Sequence, residues 1–247
     1  MIKYVLKPNL PKDKVNTLIC GTDDKLILNF FEKQGITVIK NKSNNSIDPS
    51  VSTHTDMAVL HLGSNSVLID KLQTELKSEL EKIGFTVFET SEPIQGEYPK
   101  DIRLNFAITG DYISGNFNFA DENLIKNIDG KTPLSVKQGY CKCSVLVVGE
   151  KSVITDDKSI YRVLTENGFN VLLIEKGDIS LKGHEYGFVG GASGKISDDM
   201  VVFFGDITLH RDFSKIDSFL KSQCCNYLCT DNGPLRDVGG IIPLLED

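Results

Sequence analysis

The chain has 247 residues, a formal charge of -7, 40% hydrophobic and 25% charged residues. Its pI near 5.2 leaves no Lys/Arg stripe to neutralise phosphates, which argues against a nucleic-acid partner. No apolar run reaches bilayer length, and residues 1–8 lack the apolar core of a signal peptide, so a cytoplasmic protein without a membrane partner is expected.

In chain order, Thr17 to Cys20 reads as a strand, and Ile27, Phe30 and Phe31 as the apolar face of a helix. Gly35 ends that helix, and the segment through Ile39 reads as a further strand. After Asp56 come a strand from Met57 to Leu62, a turn at Gly63, a second strand through Ile69 and a helix capped by Asp70. Leu72, Leu76, Leu80 and Ile83 form its stripe, Gly84 ends it, and Phe85 to Phe88 is a third strand. The unit is therefore strand, strand, helix, strand. After Asp101 a hairpin spans Arg103 to Ser114, followed by a short helix around Leu124 to Ile128. After Cys143 the same pattern runs through Val145–Val148, Ser152–Ile154, a helix bearing Ile160, Val163 and Leu164, and Phe169–Ile174. After Gly190 come a strand at Val201–Phe204 and a helix bearing Ile216, Phe219 and Leu220. After Asp237 only the strand Ile241–Leu245 remains.

The anchors at 56, 101, 143, 190 and 237 recur about 42 to 47 residues apart, a period typical of repeat architectures. The incomplete last unit matches what stands at the N-terminus. The expectation is one domain, 1–247, of five units: 237–247 plus 15–40, 54–90, 99–136, 137–176 and 186–232. The C-terminal strand would complete the N-terminal unit and close an α/β ring with five-fold pseudosymmetry. An open doubly wound sheet is the alternative that βα alternation also allows.

Six cysteines stand at 20, 141, 143, 224, 225 and 229, with no paired ligand spacing, so neither a disulfide framework nor a metal site is expected. His61 and His184 read as structural; Asp206 and His210 share a segment before a helix, and His210 reads as a surface or cap residue. Gly190, Gly191 and Gly194 lack the Lys-Ser/Thr ending of a phosphate loop and read as close-packing positions.

A closed ring of strand-strand-helix-strand units resembles the pentein, or guanidino-modifying-enzyme, fold of arginine and agmatine deiminases, dimethylarginine dimethylaminohydrolase, amidinotransferases and a ribosome anti-association factor. More closely, Asp56-Met, the stretches Lys137–Ser144 and Tyr186–Gly194, and Gly205–His210 resemble an uncharacterised bacterial family with this fold. His54-x-Asp56 resembles the His-x-Asp of arginine deiminases, implying His54 as acid/base and Asp56 as holder of a guanidinium. Arg236-Asp237 resembles the Arg-Asp that brings a second carboxylate to that pocket. Asp101, at the matched position of another unit, joins Asp56, Asp237 and Arg236 as a candidate for substrate binding.

Two carboxylates suit a planar cation with forked N–H donors, and a histidine suits protonation of the departing amine. The family's cysteine, placed after a Gly-Gly pair near the chain end, is absent: Ala192 follows Gly191 and Ile241 follows Gly240. Cys143 or Cys141 would have to serve from another unit, with Lys142 adjacent to both. Three functions fit: a hydrolase acting on a guanidino compound, a cation binder without turnover, and a protein-interaction ring. The expected partner is a small cationic ligand, with no cofactor.

Overall fold

A computed structural model describes residues 2–247. The first strand, β1 (Val15–Ile19), leads into helix α1 (Lys25–Lys33) and runs parallel to β2 (Thr37–Ile39). Asp24 caps α1 by accepting the Leu26 N–H at 2.8 Å. A short helical turn, α2 (Thr55–Ala58), then opens the second sheet, β3 (Val59–Gly63), β4 (Ser66–Ile69), helix α3 (Thr74–Lys82) and β5 (Thr86–Glu89). The third sheet holds β6 (Ala107–Thr109), β7 (Tyr112–Gly115) and β8 (Thr132–Ser135), with α4 (Glu122–Asn127) between the last two.

The fourth sheet holds β9 (Val145–Gly149), β10 (Ser152–Thr155) and β11 (Asn170–Leu173), with α5 (Lys158–Glu166) before β11. A two-residue strand, β12 (Ile179–Ser180), precedes the fifth sheet of β13 (Ser193–Ser197), β14 (Met200–Phe203) and β15 (Asn226–Cys229). Helix α6 (Phe213–Ser222) lies before β15. Finally β16 (Leu235–Arg236) pairs with β12, and β17 (Ile242–Glu246) pairs antiparallel with β1. In each three-stranded sheet the middle strand therefore has one antiparallel and one parallel neighbour.

Each helix buries one stripe against its own sheet: Ile27 and Phe31 on α1, Leu76 and Leu80 on α3, Ile160 and Leu164 on α5, Ile216 and Leu220 on α6. Three helices are followed by a glycine with positive φ (Gly35, Gly84, Gly168), which releases the chain into the next strand. At the corresponding exit of α6 stands Cys224 with φ 55, where a side chain costs about 1 kcal/mol.

The buried apolar residues fall into five clusters, each shared by two sheets. Ile19 and Leu244 pack with Val59 and Val67; Leu60 and Leu68 with Ile108 and Ile113; Ala107 and Leu134 with Val145 and Val153. Leu146 and Ile154 pack with Val201 and Phe203, and Val202 and Phe204 with Leu18 and Ile241. The segments entering the five first strands are also joined by hydrogen bonds. Asp56 N–H reaches Gly239 O (3.4 Å), Gly240 N–H reaches Gly191 O (2.8 Å), and Gly191 N–H reaches Cys143 O (2.9 Å). Asn105 supplies the remaining two links: its Oδ1 accepts from Cys143 N–H (3.3 Å) and its Nδ2 donates to Asp56 O (3.3 Å).

Some element boundaries differ from the sequence expectation. The strand expected from Met57 starts at Val59, because Asp56 and Met57 are wound into α2. Asp70 does not cap a helix directly; it accepts from Leu72 and Ile94 N–H in a turn, and α3 begins at Thr74. The hairpin expected from Arg103 begins at Ala107, since residues 103–106 form the turn that delivers Asn105.

Candidate functional site

Cys143 lies in a tight turn before β9, closed by Ser144 N–H to Tyr140 O (3.0 Å). The Asn105 Oδ1 also takes the Lys142 N–H at 2.7 Å, which fixes this turn against the third sheet. Gly190 packs so closely on the turn's carbonyls at residues 142, 143 and 145 that a Cβ would collide with them. His54 is held from the opposite side. Its N–H donates to Val51 O (3.0 Å), its carbonyl receives Met57 N–H (3.2 Å), and its Cβ lies where a Gly239 side chain would stand. Asp237 occupies space left by Gly187 and Gly191, and accepts Phe188 N–H (2.9 Å) and Gly239 N–H (3.1 Å). The close-packing role expected of Gly190 and Gly191 thus has a purpose: their missing side chains make room for the thiol turn and for a carboxylate.

These residues converge. His54 Nδ1 is 3.7 Å from Asp237 Oδ1. One donor atom each from His54, Asp56 and Cys143 lie within 4.8 Å of one another, and all three residues are buried. Neither Asp56 oxygen has a hydrogen-bond partner, nor does His54 Nδ1. Burial pushes the Asp56 carboxyl up to about 6, against the pull of His54 and Lys142. Burial and then the charges of Asp56 and Asp237 push the Cys143 thiol well above the ordinary cysteine value. The Asn105 side chain opposes that rise, its Nδ2 3.1 Å from Sγ. The anionic surroundings favour a neutral thiol while no positive charge is present, and a cation held by the carboxylates would shift that balance towards thiolate.

His54, Cys143 and Asp237 line a cavity of about 230 Å³, room for a small molecule. Its walls include Tyr140, Tyr186 and Phe188, with Tyr140 and Phe188 ring centroids 6.2 Å apart. Asp48, Glu185 and His184 also line it, and His184 Nε2 sits 2.8 Å from Ser50 Oγ and 3.7 Å from Asp48 Oδ2. No Lys or Arg lines the cavity among the described residues. Three carboxylates around aromatic walls give it the chemistry to receive a cation.

The other residues singled out in the sequence lie elsewhere. Asp101 is outside the cavity lining: its Oδ2 accepts the Tyr140 hydroxyl at 2.8 Å, so it orients an aromatic wall. Arg236 also lies outside, paired with Asp231 (2.6 Å) and with Asp24 (2.9 Å), where it clasps the last segment to the start of α1. Cys141 Sγ approaches Ser114 Oγ at 3.6 Å within the core, and burial pushes its thiol up to about 11. Of the two candidate thiols, Cys143 is the one that faces the cavity. His210 is buried beside Asp178, accepting the Asp212 N–H at 3.1 Å, away from the cavity.

Sequence reasoning missed Asn105, Tyr140 and His184. A polar Asn105 inside the otherwise apolar stretch Leu104–Ile108 is the signal that was present for the first. His184 reads as a loop residue until Asp48 and Ser50 are brought to it.

A model of a family of unknown function, DUF6873, matches residues 18–242. No curated protein matches the chain significantly. Solved structures do. An inosamine-phosphate amidinotransferase, StrB1 from Streptomyces griseus, is 12% identical with TM-score 0.62, over 98% of this chain and 97% of the other. The amidinotransferase SxtG of saxitoxin biosynthesis from Microseira wollei is 9% identical with TM-score 0.60, over 97% of both chains. Agmatine deiminase from C. jejuni is 12% identical with TM-score 0.54, over 94% of both. At these identities the likeness shows the fold: a mixed α/β fold of the pentein, guanidino-modifying-enzyme type.

Proposed function

Since the chain belongs to the DUF6873 family of unknown function, its activity must be read from the site, and we propose that it is a guanidino-group hydrolase with Cys143 as nucleophile. The observation that carries this reading is the meeting of Cys143, His54 and Asp237 in one acidic cavity, from segments leading into three different sheets. The named activities of the structural neighbours, amidinotransferase and agmatine deiminase, support the same substrate class. The reading includes a five-bladed ring with the cavity on its axis. The hydrogen bonds joining the five entry segments and the five clusters shared between successive sheets support that arrangement. Six free cysteines suit a reducing compartment such as the cytoplasm.

In this mechanism Asp237 on the cavity wall holds the guanidinium, with Asp56 buried behind the wall beside His54 and Cys143, while Cys143 gives its proton to His54 and Sγ attacks the central carbon. The C–N bond to the leaving amine breaks as His54 returns the proton to that nitrogen, leaving the amidino group on sulfur. Water then adds to the same carbon, His54 taking its proton. Cleavage of the C–S bond, with return of the proton to sulfur, releases a urea-type product and restores the thiol.

Peptide-level mass spectrometry after treatment with 2-chloroacetamidine at neutral pH tests this. The expected result is alkylation at Cys143 that agmatine or arginine slows and that Cys143→Ser removes. Exposed Cys224 serves as an internal reference for unassisted reactivity. Labelling at Cys224 with none at Cys143 would remove the covalent mechanism. A cation at about 100 times its Kd should stabilise the fold by about 2.7 kcal/mol, or about 5 to 10 °C in Tm. Absence of any shift with arginine, agmatine and methylarginines would remove the substrate class as well.

A further inference from the structure

We propose that His54, Asp56 and Cys143 together bind a divalent, thiophilic cation of the zinc class, with the fourth coordination position open to the cavity. The sequence pointed away from a metal because its donors have no paired spacing: two stand at 54 and 56 and the third at 143. The fold removes that objection by placing the entry segments of the second and fourth sheets side by side.

The donor set is one imidazole, one carboxylate and one thiol, the borderline-soft mixture that zinc and cobalt prefer and that magnesium and calcium do not. The three donor atoms already lie within 4.8 Å of one another. Tetrahedral zinc, with bonds of about 2.0 to 2.3 Å, holds its donors roughly 3.3 to 3.6 Å apart, so the contraction needed is at most about 1.5 Å. Formation of the site balances charge, because a dication meets one carboxylate and one thiolate. It also answers an anomaly of the ligand-free site. Asp56 is 1% exposed and neither of its oxygens has a partner, and His54 Nδ1 is likewise buried and bare. A carboxylate sealed from water with only the Cys143 thiol near enough to donate is costly, and a cation between it and the imidazole supplies what the protein does not.

One outer contact is in place. Asn105 Nδ2, 3.1 Å from Sγ, is positioned to hydrogen-bond a metal thiolate. Asp237 Oδ1, 3.7 Å from the same His54 Nδ1, adds a second negative charge beside the cation. Because His54 and Cys143 also line the cavity, the remaining position faces the small-molecule space. The inference stands on the donor geometry and not on the hydrolase reading. The two share Cys143, however, so a bound cation and alkylation of that thiol exclude each other.

Cobalt(II) titration of the full chain, stripped with EDTA and freed of the chelator, tests the site without any activity assay. One equivalent should bind with a thiolate charge-transfer band and tetrahedral visible bands, and zinc(II) should displace both. Cys143→Ser should abolish the charge-transfer band. Asp56→Asn and His54→Ala should each weaken binding at least ten-fold, with circular dichroism confirming that the variants are folded. A charge-transfer band that survives Cys143→Ser would assign the metal to Cys224, Cys225 or Cys229 and overturn the proposal. So would binding no tighter than that of the Cys143→Ser, Asp56→Asn double variant. Thermal shifts with guanidino cations in EDTA report on the hydrolase pocket separately, so either reading can fail alone.

Discussion

Replacing Asn105 with alanine is the sharpest test of how the site is held together. The side chain is fully buried and makes more links than any other at the strand entries. Its Oδ1 accepts Lys142 N–H at 2.7 Å and Cys143 N–H at 3.3 Å, and its Nδ2 donates to Asp56 O at 3.3 Å. Alanine removes all three partners and cannot be replaced by bulk water. Each backbone group left unpaired in a dry interior costs about 1 to 3 kcal/mol, and the two 3.3 Å contacts belong at the weak end. The total is about 3 kcal/mol, which for a chain of this length lowers Tm by about 6 to 12 °C.

Urea unfolding followed by far-UV circular dichroism measures this, with exposed Asn118→Ala expected to stay within about 0.5 kcal/mol of the parent. The same variant should raise the alkylation rate of Cys143 by neutral iodoacetamide, since the turn carrying the thiol loses its anchor. A loss below about 1 kcal/mol, with unchanged reactivity, would refute the idea that one side chain ties the third sheet's entry to the second and fourth.

Two further outcomes follow from single residues. His61, with Nε2 2.9 Å from Ser64 O and Nδ1 bare, is held by burial at about 4 instead of 6.5. A folded-state value below the unfolded one means stability is present above pH 6.5 and lost as pH falls towards 4. About 2.5 pH units at 1.36 kcal/mol each bound the loss at about 3.4 kcal/mol, of which about 2 should be gone by pH 5. His61→Gln should flatten the stability profile between pH 7 and 4 in urea melts; an unchanged slope would show that another group is responsible. Gly191→Ala drives a methyl into the Asp237 carboxylate, which Phe188 and Gly239 N–H otherwise fix. It should weaken agmatine's protection of Cys143 at least ten-fold, about 1.4 kcal/mol, and equal protection in parent and variant would mean that Asp237 does not hold the cation.

Helix faces and exits were legible because they are local: a 3.6-residue stripe and a positive-φ glycine leave marks a few residues apart. β13 was not read, and its composition explains why. Ser193–Ser197 carries a glycine and a lysine, and only in the fold does Lys195 Nζ find Val148 O at 2.8 Å and so tolerate burial. The site was legible in residue type more than in position. Asp56, Asp101 and Asp237 were grouped because they recur at matched intervals, yet the register of each entry segment decides where a side chain points. Asp237 faces the cavity with His54, Asp56 sits against both His54 and Cys143, and Asp101 stands four residues before Asn105 and turns to Tyr140. Arg236 lies one residue before Asp237 and is drawn away to Asp231 and Asp24.

That register also accounts for the thiol that the sequence lacks after Gly240. Counting back two residues from the first strand of each sheet gives Met57, Asn105, Cys143, Gly191 and Gly240. All five entry segments take part in the hydrogen bonds that join the strands' starts, four of these residues directly. In the proposed mechanism the nucleophile is then supplied from the fourth sheet's entry segment instead of the last one. Here Gly190 leaves room for the turn that carries Cys143, Gly191 leaves room for Asp237, and Asn105 is the polar residue that fixes the turn. The proposed acid/base and carboxylate groups come from segments at 54 and 237, which meet through Gly239 and the His54 Cβ. Relocating a thiol within such a framework needs no new backbone, only a change in which entry segment carries the side chain. If alkylation with 2-chloroacetamidine falls on Cys143, a cysteine search over equivalent entry positions finds the thiol that a search confined to the chain end does not.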